Sequence, residues 1–184
     1  GTYTSMVYLT PILGGFIADR YIGYRWAVVI GAIIMAIGTL SMAMIEPFYI
    51  YSGLTLLIVG NGFFKPNMTS IISHMYKDHP EKKDGAFTIF YMGINIGTLL
   101  PPFFIGTLVN KYGWDWGFIL AAVGMLVSLL IFLLGRKQLQ QHGTMPITSI
   151  LHNTAKAQGF NIKFIAACLA ILAASYFILL APQI

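Results

Sequence analysis

Lys65 lies deep in residues 49–76, a stretch otherwise apolar enough to span a membrane, within Gly60-Asn61-Gly62-Phe63-Phe64-Lys65-Pro66-Asn67. A lysine near the middle of a bilayer is costly, so such residues face a water-filled cavity and handle charge, or snorkel to a headgroup. More than two helical turns separate Lys65 from either end of the stretch, which favours the cavity. Pro66 removes the amide that would bond the Gly62 carbonyl, and Gly60 and Gly62 loosen the same turn. Asn61, Lys65, Thr69 and Ser73 recur every four residues and so share one slowly drifting helix face, the pattern of a polar path. The next apolar stretch carries Thr88, Tyr91, Asn95 and Thr98 at intervals of three or four. Tyr91 and Asn95 are one turn apart and point the same way. An amide in lipid must find partners, either a neighbouring helix or a substrate. Tyr8, with Thr4 and Ser5 before it and Pro11 after it, reads equally well as interfacial belt or as core filler.

These residues need a scaffold, and composition says which. The chain is 57% hydrophobic and 9% charged, against about 25% charged in soluble domains, so lipid is its solvent. Six apolar stretches run at about 1–18, 26–45, 49–76, 86–109, 115–135 and 161–182, most near the ~20 residues that cross the hydrocarbon as a helix. Glycine recurs inside them, at Gly14-Gly15, Gly31, Gly38, Gly60, Gly62, Gly93, Gly97, Gly117 and Gly124. Small residues let membrane helices approach closely. Pro101-Pro102 is expected to bend the 86–109 helix. Without an initiating methionine or basic n-region, residues 1–18 read as a spanning segment rather than a signal peptide, and the chain as an internal piece of a longer protein.

Loop charge predicts the orientation. Arg20, Arg25, Lys77, Lys82, Lys83, Arg136, Lys137, Lys156 and Lys163 fall in or beside loops 19–25, 77–84 and 136–160, while the other side holds Lys111 near Trp114 and Trp116. The positive-inside rule makes the richer side cytoplasmic. At one such junction, Asp19 and Arg20 beside glycines could form an ion-pair latch or an ordinary charged loop. Basic residues scattered in short loops form no stripe for nucleic acid. The single Cys168 excludes an intramolecular disulfide, and the four histidines lack metal-ligand spacing. No Ser/His/Asp set, carboxylate pair or phosphate loop points to an enzyme.

The strings GGFIADRYIGYR (residues 14–25), GNGFFKPNMTSI (60–71) and FTIFYMGINIG (87–97) together resemble the proton-dependent oligopeptide transporter family of the major facilitator superfamily. The resemblance covers residues 1 to about 137. It implies an all-α membrane protein, with helices two to six of the N-terminal bundle at 1–137, a cytoplasmic connector at 138–160, and one further transmembrane helix at 161–184. It implies that Lys65 couples protons and binds the peptide carboxylate, that Tyr8, Tyr91 and Asn95 line the peptide pocket, and that Gly15, Asp19, Arg20, Gly23 and Arg25 form a gating loop. The activity implied is inward symport of di- and tripeptides with protons, by alternating access, in a multi-pass protein of the bacterial inner membrane. The coupling ion is the proton, with no organic cofactor or metal. The partners are peptide, lipid bilayer and the remainder of the carrier, with no nucleic acid. The alternatives are a non-peptide anion or drug-like substrate, or a non-transporting membrane assembly partner.

The sequence departs from the family pattern in places. Thr98 stands where Gly, Ser or Ala is usual, and residues 161–182 lack an acidic residue, as an inserted linker helix would more than helix seven. The first helix with its ExxER motif and the C-terminal half are absent, so 184 residues are not expected to transport alone.

Overall fold

A computed structural model describes residues 2–135, together with the isolated positions Ala170 and Ala173. The described chain is a bundle of five α-helices: α1 (Thr2–Ile17), α2 (Tyr24–Met42), α3 (Pro47–Met75), α4 (Pro80–Tyr112) and α5 (Trp114–Leu134). Four of them, α2 to α5, are long and apolar enough to cross a membrane. The five helices match five of the six apolar stretches; the stretch at 161–182 and the 138–160 connector lie outside the described residues.

The junctions are shorter than the charge pattern suggests. Residues 19–25 are not a loop: Ala18–Ile22 form a π-helical turn that continues α1. Gly23 closes that turn, its amide donating to the Ala18 carbonyl at 2.9 Å. At φ +81° and ψ 148°, Gly23 takes a backbone conformation that residues with a Cβ rarely adopt. Similarly, α3 persists to Met75 and α4 starts at Pro80, so Lys82 and Lys83 stand on a helix and not in a 77–84 loop. A proline at the first position suits a helix start, where the missing amide has no partner to lose. Hydropathy marks where lipid begins and ends; the hydrogen-bonded backbone runs past it into polar sequence. Between α4 and α5 the only residue is Gly113, at φ +104°.

Packing concentrates on α3, which lies against α2 and α1, while α5 rests on α2 and α4. The tightest core joins Ile17, Ala18, Ala27, Val59 and Phe63, from the end of α1, the start of α2 and the middle of α3. Glycines set how close these helices come. At Gly31 an added Cβ would sit 2.7 Å from the Gly60 carbonyl oxygen and 2.8 Å from the Phe64 amide nitrogen. On Gly14 it would collide with the Gly62 carbonyl. That carbonyl is the one Pro66 deprives of its helical donor, so α1 lays bare backbone over the very oxygen the proline releases. A Cα–H···O contact there is worth up to about 1 kcal/mol.

The long helix α4 is different: it buries no residue, and every position from Tyr91 to Leu100 is exposed. It remains one helix through Pro101 and Pro102, although those prolines leave the carbonyls of Gly97 and Thr98 without their helical donors. Its described packing runs mainly to α5, where Ile105 and Val109 lie against Gly117.

Candidate functional site

The site is built around the middle of α3. Lys65 stays on the exposed side of α3, one residue before Pro66. Its ammonium lies 5.9 Å from the centroid of the Tyr8 ring, over the aromatic face. A cation over an aromatic ring at this range is attracted by the ring quadrupole, by about 0.5–1 kcal/mol where exposed. Tyr8 is thus exposed beside Lys65 and is not core filler. No carboxylate among the described residues lies within salt-bridge distance of Lys65. A lone ammonium with a π face beside it can hold an anionic group while leaving that group's other side open.

One further bond ties α1 to α3 beside this pair, and a second lies within α3. The Thr10 hydroxyl, buried, donates to the Ile58 carbonyl at 3.1 Å. Asn67, fully buried, donates from Nδ2 to the Phe63 carbonyl, and its Oδ1 is buried without a hydrogen-bond partner among the described residues. Neither residue stands out by sequence spacing; Thr10 is brought to α3 by the Gly14–Gly62 approach, which only the fold reveals. Thr69, expected on the polar face with Lys65, turns its hydroxyl back to the Pro66 carbonyl at 2.7 Å.

Tyr91 and Asn95 are not brought to Lys65 in the described structure. Both are exposed on α4, the Tyr91 ring meets its neighbour Phe90, and the Asn95 carbonyl accepts from the Thr98 hydroxyl at 2.8 Å. The physical reason is that α3 and α4 make slight contact, so their facing side chains stand apart.

At the π-helical turn, Gly15 packs against the Pro66 ring and so anchors the turn to α3. Asp19 hydrogen-bonds the Tyr24 hydroxyl, Arg20 lies 5.9 Å over the Tyr21 ring, and Arg25 is half-buried. The Tyr24 ring in turn packs on His74 of α3, centroids 5.1 Å apart. The turn is thus tied to α3 through an Asp19–Tyr24–His74 chain that the sequence did not reveal. Among the described residues, no group of three or more His, Cys, Asp or Glu side chains is placed to share a metal ion.

Comparison with known proteins agrees with this architecture. The chain is 42% identical over 137 residues to the uncharacterized transporter YclF of Bacillus subtilis (strain 168), covering 74% of this chain and 28% of that protein. It is 37% identical over 147 residues to dipeptide and tripeptide permease A of Serratia proteamaculans (strain 568), covering 79% of this chain and 29% of that one. The chain thus spans less than a third of the length of these curated relatives. Its fold superposes on the crystal structure of tetrameric PepTSo2 with a TM-score of 0.81 at 30% identity, over 97% of this chain and 39% of that one. The helices, together with these transporter relatives, make it an integral multi-pass membrane protein. The sequence profile of the POT family matches residues 25–175, well over half of the chain, and the chain belongs to that family.

Proposed function

We propose that this chain forms helices two to six of a carrier as long as its relatives, which imports di- and tripeptides together with protons across a bacterial inner membrane. The observation that carries the reading is the Lys65 ammonium beside the Tyr8 ring on a proline-softened, membrane-length helix. Lys65 attracts the peptide C-terminal carboxylate and contributes to proton coupling. Tyr8 shapes one wall of the pocket. Tyr91 and Asn95 join from α4 when the rest of the carrier packs α4 against the site, and they bond the peptide backbone. The π-helical turn with Gly15, Asp19, Arg20, Gly23 and Arg25 is the cytoplasmic gate, with Asp19 clamped on Tyr24 in the state described here. The two halves of the carrier rock about a site near the midplane. The coupling ion is the proton, no organic cofactor takes part, and the protein acts as a carrier and not as an enzyme.

The test is uptake of labelled dialanine into proteoliposomes by the full-length carrier, with and without an inward proton gradient, beside Lys65→Ala. Gradient-driven uptake that Lys65→Ala abolishes is expected. Driven uptake unchanged by the substitution would reduce Lys65 to a structural residue. No dialanine uptake by the folded carrier would move the substrate to a non-peptide anion.

A further inference from the structure

We propose that a cleft at the α3–α4 junction binds a phosphate group, carried either by an anionic lipid headgroup or by free phosphate. The cleft holds about 300 Å³ and is lined by Ser73, His74, Tyr76, Lys77, Pro80 and Lys83. Its lining is cationic and hydroxylic, with no carboxylate. That is not what the local sequence suggests, because residues 77–84 contain three lysines and three acids: Asp78, Glu81 and Asp84. The fold sorts them. Glu81 turns to His79, at 3.4 Å, and Asp78 and Asp84 are exposed and do not line the cleft. Lys77 and Lys83 are left facing one concavity, Lys83 half-buried.

The remaining lining suits an oxyanion. Ser73 and Tyr76 supply hydroxyl donors. The His74 ring sits with Nδ1 2.8 Å from the Ser70 carbonyl, which orients it beside the cleft. Packing on Tyr24 fixes the same ring from the other face. The N-terminus of α4, where His79 makes no side-chain cap, adds the positive end of a 33-residue helix. Position matches a headgroup: from Lys65 to Tyr76 along α3 is about 16 Å of helix, about half the hydrocarbon thickness. A site that lies at the midplane at Lys65 therefore puts this cleft at the lipid–water boundary.

The probes are phosphatidylglycerol and inorganic phosphate, each with the full-length carrier in nanodiscs. In mixed phosphatidylcholine–phosphatidylglycerol discs, native mass spectrometry counts the anionic lipids retained. In pure phosphatidylcholine discs, a thermal melt with and without phosphate reads the free ion. The double variant Lys77→Gln/Lys83→Gln is compared with Lys82→Gln, which removes a lysine from the same end but outside the cleft. Far-UV circular dichroism confirms that each stays folded. Affinity for the bound phosphate species is expected to fall about 30-fold in the double variant, the factor for two lysines near an anionic surface, and less than twofold in Lys82→Gln. Loss in the lipid arm assigns a headgroup, and loss in the phosphate arm assigns the free ion. An equal loss in Lys82→Gln, or no retention in either arm, would overturn the site.

Discussion

Gly31→Ala tests whether glycine sets the α2–α3 distance. The new methyl would stand 2.7 Å from the Gly60 carbonyl oxygen and 2.8 Å from the Phe64 nitrogen, where ordinary contact begins at 3.4 Å. Both obstacles are backbone, so no rotamer change relieves them, and the two helices must part by about 0.7 Å. Overpacking of this kind costs about 1–3 kcal/mol. Against it, replacing glycine inside a helix gains about 0.5–1 kcal/mol in backbone entropy. The expected balance is a loss of about 1–2 kcal/mol. Gly124→Ala on α5 is the matched control, because its Cβ would meet nothing within 4 Å and only the entropic gain remains. The two variants are expected to shift stability in opposite directions. The assay is unfolding of the 184-residue chain in dodecylmaltoside by added dodecyl sulfate, followed by far-UV circular dichroism. A Gly31→Ala chain at least as stable as Gly124→Ala would refute the reasoning and show that α2 and α3 have slack between them.

Three further outcomes are expected. Thr10→Val removes the buried Thr10–Ile58 hydrogen bond and is expected to lower stability in the same assay by about 0.6 kcal/mol, the average for interhelical bonds in membranes; Thr10→Ser, which keeps the donor, should not. Tyr8→Phe keeps the ring beneath Lys65 and should hold the peptide KM within about twofold, whereas Tyr8→Ala should raise it about 2–5-fold; equal effects would show that the hydroxyl matters and the ring does not. Ile45, a β-branched residue at φ +57° in the α2–α3 turn, is strained by about 1–2 kcal/mol. Ile45→Gly should therefore stabilise the chain by up to about 1 kcal/mol after the flexibility gained by the unfolded chain is set against that strain, and destabilisation would contradict it.

Much of the molecule was legible in the sequence because its signals are local. Pro66 and the glycines at 60 and 62 marked the softened turn of α3, and that turn is where α1 approaches. Boundaries were less legible. Residues 86–109 are the apolar part of a helix that runs from Pro80 to Tyr112, since hydropathy reports the surrounding solvent while prolines and glycines decide where hydrogen bonding stops. The charged string after Gly15 looked like a loop and is a π-helical turn, because only Gly23 breaks the backbone. The spacing of Tyr91 and Asn95 placed them on one face of α4, yet spacing within one helix carries no information about which helix that face meets. For His74 the sequence showed only the lack of metal-ligand spacing, and its ring partner Tyr24 comes from the start of another helix.

The sequence by itself determined the solvent, the helices, the location of charge and the family, because each follows from residue type and from neighbours within a turn or two. The tertiary structure decided what those neighbours cannot: that Lys65 stands over Tyr8, and that Thr10 bonds across to Ile58. It also decided that Lys77 and Lys83 line one cleft that none of the acids of residues 77–84 lines. Such pairings depend on how closely distant helices approach and at what register. Here the approach is set by backbone meeting backbone at Gly14, Gly31, Gly60 and Gly62, a steric fit between segments far apart in the chain.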